Sequence, residues 1–403
     1  MAQEFEGVKI IKSNGNQNRQ GFNYDSHMAM VIYSPAFPAG LNAGDVVEAF
    51  VIEDIEAVGI DAAFDANNTI LAHYHAEEYF KYAPEGKLFL ILTDQQTAAA
   101  YFGLAGVDEV FKTISSAKRI GWVYNGEPVA LDFAAELAAA QAFIAAMATD
   151  HYLIDGIYLE GRAIGAAGVD LRLLNAPNCH AVIAQDPAIA VIDAAYGNYA
   201  AVGSVLGMRA VRNPNEHLGS TDIIKKPDYA KGDKVYPLTN PAVGRWLTAA
   251  LSDGTTYASL SAGAKDQLTD RGYIYAGDYS NFPGIFFNGE PTCVDIASDY
   301  AWGENNNIWN KAARAIRLAL LPKVKSQVKV DPATGFIRNT SAKYLEGIAR
   351  KPVVAMITAE EISGAEVTIP TNQAPNDQNP LKVYGSLTRN GIVHLFEFTL
   401  GLK

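Results

Sequence analysis

Hydrophobic and polar positions change their spacing along this chain in a way that is typical of an α/β domain. Segments with apolar residues three and four apart alternate with short, continuously apolar runs, which suit strands buried on both faces of a sheet. The pattern predicts helices over 69–82, 131–148 and 199–212, and strands over 87–92, 154–159 and 180–185. This alternation indicates a sheet with helices on its faces.

The last third of the chain has a pattern typical of a compact α+β unit. Two strands flank a turn at Pro283-Gly284, helices cover 308–321 and 339–348, and a strand follows over 353–357. We therefore predict a two-domain α/β plus α+β fold with strand arms at both ends. The predicted divisions are an N-terminal arm and linker over 1–25, an α/β outer domain over 26–265, a C-terminal α+β core domain over 266–370, and a linker with the C-terminal strand arm over 371–403.

Both ends of the chain carry strand-like apolar segments that polar linkers separate from the body. A strand over 7–12 precedes one linker, and the loop 371–380 precedes a predicted hairpin that turns at Asn390-Gly391. The last strand is apolar on both faces, so it needs cover from its own domain or from another chain. The linkers at both ends favour cover of this strand by another chain. The candidate inter-subunit residues are Val8, Ile10, Ile11, Val393, Leu395, Phe396, Phe398 and Leu400.

Composition and charge argue against several classes of protein. The net charge of −12 and the pI near 5.1 argue against a nucleic-acid partner, which requires a concentrated basic surface. We predict no secretory signal, and the Ala-rich stretch 133–148 is too interrupted by polar residues to insert into a membrane. Cys179 and Cys293 are too few for a disulfide framework or a four-ligand zinc site, which fits a reducing cytosol.

Three short motifs suggest chemistry, and each has a structural alternative. His73 and His75 could bind a metal, but they point apart on a helix and no HExxH spacing exists. The segment GRAIGAAG over 161–168 follows a strand, but its glycine spacing differs from GxGxxG. Ser204 has no GxSxG context, and a small helix-packing residue is the alternative to a nucleophile. We predict no catalytic residue, metal site or cofactor.

Three segments together resemble the contractile sheath proteins of phage tails and related injection machines. The sheath core domain is similar to GYIYAGDYSNFPGIFFNGEPTCVDIASDYAWGENNNIWNKAARAIRLALLP, with its two strands and its helix bearing basic residues. An early helix–strand unit of the family resembles YHAEEYFKYAPEGKLFLILT, and a helix that ends before the crossing to the core domain resembles YAAVGSVLGMRAVRNPNEH. The Arg-x-Pro-rich entry of some sheaths is missing, which leaves open a phage tail or another injection system.

The resemblance implies a non-enzymatic structural subunit that assembles with copies of itself. It implies helically stacked hexameric rings around an inner tube protein, with baseplate and tail-terminator proteins as further partners. Arms of neighbouring copies would add strands to a core-domain sheet, and contraction would drive the tube through a target envelope. The chain would then belong to a virion tail or injection-system particle assembled in the bacterial cytoplasm. Another self-assembling tail protein and a cytosolic α/β enzyme are the alternatives.

One face of the helix predicted over 308–321 is basic. Lys311, Arg314 and Arg317 follow helical spacing opposite the apolar face. Given the resemblance, these three residues are candidates for contact with an acidic tube. The alternative is an ordinary solvated face.

Overall fold

Helices and strands alternate through most of the computed structural model, which describes residues 24–126, 132–376 and 379–401. The strands are β1 (His27–Tyr33), β2 (Val46–Ala49), β3 (Lys87–Thr93), β4 (Arg119–Val123), β5 (Gly156–Glu160), β6 (Cys179–Val182), β7 (Ala184–Gln185), β8 (Ala250–Leu251), β9 (Tyr273–Ile274), β10 (Ala276–Tyr279), β11 (Phe282–Phe287), β12 (Gly364–Thr368) and β13 (Tyr384–Thr388). The α-helices are α1 (Ile52–Glu56), α2 (Ala62–Asn68), α3 (Ala72–Tyr82), α4 (Ala98–Phe102), α5 (Val107–Thr113), α6 (Phe133–Thr149), α7 (Pro187–Ala190), α8 (Val202–Ala210), α9 (Ala262–Asp270), α10 (Gly303–Leu320) and α11 (Asn339–Thr358).

Seven strands of the described chain form one sheet in the order β2-β3-β1-β4-β5-β6-β9. Neighbouring strands run parallel except at one edge, where β2 is antiparallel to β3. β1 and β3 are buried along nearly their whole length, as continuously apolar strands of a covered parallel sheet should be. The prediction of an α/β sheet is confirmed. β9 lies beyond residue 265 and still joins this sheet.

Apolar layers cover both faces of the large sheet. Alternate residues of β1 serve the two layers: Met28, Met30 and Ile32 face the layer that includes α3 and α8, whereas Ala29 and Val31 face the layer that includes α4 and α6. Both sets of side chains have no exposed surface. The need to fill two layers explains why β1 is apolar at successive positions.

Two helices on one face of the sheet approach each other closely enough to require glycine. A Cβ atom on Gly203 of α8 would lie 2.2 Å from the backbone oxygen of His75 in α3. A Cβ atom on Gly207, one turn later, would lie 2.7 Å from the backbone oxygen of Tyr79. The small residues of the predicted helix over 199–212 therefore serve backbone-to-backbone packing.

The C-terminal unit has its own, much smaller apolar core. Helices α10 and α11 pack against each other, and the antiparallel hairpin β12–β13 packs on them. In the described residues one cluster contains the buried residues Ile308, Ala312, Val353, Met356 and Ile362. A second contains Ile337, Ala342, Leu345 and Ile369. The unit thus combines two helices with an antiparallel hairpin, and the division of the chain into two domains stays a prediction.

Two predicted details of the chain between 280 and 358 are wrong. The chain turns at Ser280-Asn281, where Asn281 has φ +61°, and Pro283-Gly284 lies inside β11. The segment 353–357 is helical, not a strand, because α11 continues through Pro352 to Thr358. Val353 and Met356 lie three residues apart and both enter the small core, so burial of this face outweighs the hydrogen bond that Pro352 removes.

The predicted hairpin at Asn390-Gly391 is also wrong. β13 pairs with β12 instead, with Gly364 opposite Thr388 and Thr368 opposite Tyr384. Residues 391–401 contain no strand in the described structure. Contacts at Asn390 and His394 fasten the start of this segment to the body of the protein. The predicted strand over 7–12 lies outside the described residues.

Candidate functional site

Polar side chains on one stripe of α10 dock this helix onto the large sheet. Asn306, Asn310 and Arg314 lie four residues apart and therefore share a face. Their side chains donate to backbone oxygens at the start of two strands: Asn306 Nδ2 to Pro177 O (2.6 Å), Asn310 Nδ2 to Ile154 O (3.1 Å) and Arg314 to Leu153 O (3.1 Å). These carbonyls precede β5 and β6, so α10 lies across the amino-terminal edge of the sheet.

Ion pairs on both sides reinforce this contact between α10 and the large sheet, which we call the dock. Arg314 donates to Asp155 (2.7 Å), whose buried carboxylate also lies 3.5 Å from the guanidinium of Arg119 at the start of β4. Lys311 donates to Asp25 (2.8 Å) and to Glu361 (2.6 Å). Burial by itself lowers the pKa of Lys311, but these two carboxylates hold it above its ordinary value.

The three residues predicted to face a tube therefore have different surroundings. Lys311 and Arg314 bind carboxylates within the chain, as described above. Arg317 is exposed, and no ion pair or hydrogen bond of its side chain exists within the described residues. Contact with a tube stays a prediction, and Arg317 is the most accessible of the three.

A buried carboxylate lies where the chain passes from the large sheet to α10. Glu290 has no exposed surface, accepts a hydrogen bond from Tyr158 and lies 3.4 Å from the guanidinium of Arg209. Burial raises the pKa of Glu290, but the charges of Arg209, His180 and Arg119 outweigh burial and hold it below its ordinary value. Glu290 thus stays ionised and ties α8, β5 and β6 to the connection before α10.

A second buried carboxylate, Glu304, occupies the first turn of α10. Neither of its carboxylate oxygens has a hydrogen-bond partner within the described residues. Burial, followed by the negative charge of Glu290, raises the pKa of Glu304 to about 8. Glu304 is therefore protonated at neutral pH, which lowers the cost of burying it beside Glu290.

The first residues of the C-terminal tail are fastened to the body. Asn390 Nδ2 donates to Glu360 O (2.8 Å), and the ring centroid of His394 lies 5.3 Å from that of His217 and 5.4 Å from that of Trp302. Burial, followed by the neighbouring His394, lowers the pKa of His217 to about 4. The imidazole of His217 is therefore neutral at physiological pH, and it packs with the other two rings as an apolar group.

The rest of the tail is apolar and exposed. The exposed fractions are 64% for Val393, 85% for Leu395, 86% for Phe396, 82% for Phe398 and 79% for Leu400. Such a run of large apolar side chains is unusual on a protein surface and is typical of a segment that another surface covers. All five C-terminal candidates are thus accessible, whereas Val8, Ile10 and Ile11 lie outside the described residues.

Two of the motifs with a chemical interpretation make structural contacts within the chain. Ser204 is fully buried and donates to Glu78 (2.8 Å), so no substrate can reach its hydroxyl group. His73 lies 2.9 Å from Glu56, and His75 Nδ1 accepts a hydrogen bond from the backbone of Gly203. No group of three metal-binding side chains occurs within the part of the chain that is described. No described helix is both long and apolar enough to cross a membrane.

Sequence reasoning missed the asparagines of the dock. The helix predicted over 308–321 leaves out Asn305-Asn306-Asn307, but α10 begins at Gly303 and buries Asn306 and Asn307. The signal that could have identified them is the spacing of four between Asn306, Asn310 and Arg314. Polar residues at that spacing on a helix whose apolar face is already assigned indicate a second, polar contact.

Comparison with known proteins gives two kinds of match. The family model described as the DUF2586 N-terminal domain matches residues 5–290, and that described as the DUF2586 C-terminal domain matches residues 299–403. No curated protein matches the sequence.

Solved structures of sheath assemblies share this fold along the whole chain. One is the helical sheath of the anti-feeding prophage (AFP) in its contracted state, with TM-score 0.59, 13% identity and 99% of each chain covered. A chain of the AFP baseplate has TM-score 0.57 at 10% identity, with 100% of each chain covered. The contracted sheath complex of PVC, an extracellular contractile injection system, has TM-score 0.58 at 8% identity, with 100% of this chain and 98% of that chain covered. The chain therefore belongs to the DUF2586 family, and it has the fold of contractile sheath proteins.

Proposed function

We propose that this chain is the structural subunit of a contractile tail sheath. Copies assemble as helically stacked hexameric rings around an inner tube, and contraction drives the tube through a target envelope. Baseplate and tail-terminator proteins are the further partners, and the particle is a virion tail or injection system assembled in the bacterial cytoplasm. The role is structural and requires no catalytic residue or cofactor.

The observation that carries this proposal is the accessible apolar tail on a fold of sheath type. The fold matches chains of sheath and baseplate assemblies over their full length. The tail residues from Val393 to Leu400 are mostly exposed, and pairing with a neighbouring copy would cover them. The hairpin β12–β13 offers free backbone groups for such pairing because it has only two strands among the described residues.

The remaining parts of the proposal follow from the sequence. We propose that Val8, Ile10 and Ile11 form the partner arm at the other end of the chain, and that 26–265 and 266–370 act as outer and core domains. Contact of the basic helical face with the tube depends mainly on Arg317, because Lys311 and Arg314 already bind Asp25 and Asp155. Weak, repeated contacts of this kind suit a tube that must slide.

Negative-stain electron microscopy of the purified protein tests this function. The full chain should form wide, hollow helical tubes, and a variant that lacks residues 393–403 should not. Because residues 393–401 are exposed, the truncated variant should keep the unfolding transition of the parent monomer. A matched control replaces exposed Leu173 and Ile224 of the N-terminal part with serine, which should leave tube formation unchanged.

Three other outcomes would contradict the proposal in different ways. A full chain that stays a uniform small oligomer over a wide concentration range would contradict assembly as a sheath. Closed rings or narrow tubes would favour another self-assembling tail protein. Wide tubes from the truncated chain would keep the sheath function but contradict the role of the C-terminal arm.

A further inference from the structure

The outer face of α11 is basic and has few counter-charges. Lys343, Arg350 and Lys351 lie seven and eight residues apart, which places them on one face of the helix. All three residues are exposed. Lys343 pairs with Glu346, but Arg350 and Lys351 make no ion pair within the described residues. Tyr344 is 59% exposed and adds an aromatic ring to this face.

The segment between α10 and α11 extends the basic surface. Lys323 Nζ lies 5.3 Å from the ring centroid of Tyr344, which brings this lysine to the same face. The backbone N–H of Lys329 donates to Ser341 Oγ (3.1 Å) in the first turn of α11, which holds this lysine close to the helix. Arg338 precedes α11 and donates through its backbone to Lys329 O (2.9 Å). We call this surface, with Lys323, Lys329, Arg338, Lys343, Arg350 and Lys351, the basic face.

An acidic surface lies at the opposite end of the sequence. The chain contains no lysine or arginine between Arg19 and Lys81. Within that stretch β2 forms one edge of the large sheet, and α1 and α2 follow it. Six acidic residues occur from Asp45 to Asp61, and all but Asp54 are exposed, including Glu53 and Glu56 on α1. Phe50 is 55% exposed beside them. We call this surface, residues 45–61, the acidic edge.

The charge of the whole chain is divided in the same way. Residues 299–403 contain 13 lysines and arginines against 9 aspartates and glutamates, a net charge of +4. The whole chain has a net charge of −12, so residues 1–298 carry −16. Copies of such a chain attract each other when the basic end of one meets the acidic end of another.

We propose that the basic face of one copy docks on the acidic edge of a second copy. The two surfaces are different, so the contact is head-to-tail, and a contact of that type repeats indefinitely along a helix when it does not close into a ring. Each surface also carries an exposed aromatic residue, Tyr344 on one and Phe50 on the other, which gives the contact an apolar centre within its charged surroundings. This inference rests on the proposed assembly into a sheath.

Charge reversal on the two surfaces tests the contact by its effect on assembly. R350E/K351E should raise the protein concentration needed for tube formation at least roughly tenfold, and E53K/E56K should do the same. Both variants should keep the unfolding transition of the parent. The quadruple variant reverses both surfaces, so it should assemble at the concentration of the parent. K225E/K234E makes the same change in charge at exposed lysines outside the basic face and should assemble normally.

The outcomes separate this inference from the proposed function. The parent should require more protein for assembly as the salt is raised from about 0.05 M to about 0.5 M, because salt screens exposed charges. Normal assembly of R350E/K351E, or failure of the quadruple variant to recover, would overturn the contact while the sheath function stands. If R350E/K351E forms empty sheaths normally but no longer forms them around the tube, the basic face binds the tube instead. A parent that forms no helical polymer would contradict the sheath function itself.

Discussion

The N-terminal part and the C-terminal unit of this protein are held together by different forces. The large sheet is buried between two extensive apolar layers, whereas the C-terminal unit has two small apolar clusters in its described part. The contact between them is polar, through Asn306, Asn310 and Arg314. The large sheet is stabilised mainly by hydrophobic burial. The C-terminal unit depends on hydrogen bonds, ion pairs and, by our proposal, neighbouring copies.

The largest expected effect comes from breaking the dock at its buried carboxylate. Asp155→Ala removes the nearest counter-charge of Arg119, and both side chains are only 2% exposed. Leaving one member of a buried ion pair alone costs about 3–5 kcal/mol of unfolding free energy. Urea unfolding measures this loss. Asp150→Ala is the control, since this exposed partner of Lys112 should change the stability by at most about 1 kcal/mol. Equal effects of the two substitutions would contradict a stabilising polar dock.

A smaller loss is expected from the helix contact within the N-terminal part. Gly203→Ala places a Cβ atom 2.2 Å from the backbone oxygen of His75, so α3 and α8 must separate at a loss of about 3 kcal/mol. Gly347→Ala on the exposed face of α11 meets no atom within 4 Å. There alanine should stabilise the helix by up to about 1 kcal/mol. Thermal unfolding compares the two variants, and a tolerated Gly203→Ala would show that the two helices are less tightly packed.

The N-terminal part was easier to predict from the sequence than the C-terminal unit. Burial in a sheet leaves continuous apolar runs, and the run 87–92 became β3 almost residue for residue. The Ala-rich pattern over 131–148 became α6, which covers Phe133–Thr149. In such elements hydrophobic spacing is the direct consequence of burial, so it can be read without knowledge of the partners.

The dock and the tail were harder because their partners are distant in the chain. Asn310 bonds to Ile154 and Lys311 to Asp25, at separations that no local pattern records. The helical spacing of Lys311 and Arg314 carries no information about Asp25 and Asp155, which bind them in the fold. The Asn390-Gly391 turn predicts a hairpin between β13 and the tail, but β12 pairs with β13 instead. The longer-range pairing of β12 with β13 outweighs the local preference of Asn390-Gly391 for a hairpin turn.

The buried carboxylate of α10 should make the stability depend on pH. The pKa of Glu304 is about 8 in the folded chain, against about 4.3 for an ordinary glutamate, so the folded chain retains this proton while the unfolded chain loses it. Its contribution to stability is therefore complete below about pH 4.3 and is lost as the pH rises through about 8. Glu304→Gln removes this dependence.

Unfolding free energies of Glu304→Gln and its parent between about pH 5 and pH 9 measure the effect. The advantage of the variant should grow with pH by more than about 1.4 kcal/mol, the equivalent of one pKa unit. Glu366→Gln is the control, because Glu366 is exposed on β12. A difference between variant and parent that stays constant with pH would show that Glu304 is ionised in the folded chain.

The smallest effect on the monomer should accompany the largest effect on assembly. Leu395 and Phe398 are 85% and 82% exposed, so L395S/F398S should change the unfolding free energy of the monomer by at most about 0.5 kcal/mol. If neighbouring copies cover the tail, the same variant should fail to form tubes in electron micrographs, because burial of two large side chains at each contact is lost. If the variant loses both monomer stability and tube formation, the tail packs on its own chain. The N-terminal part and the C-terminal unit would then both depend on burial within the chain.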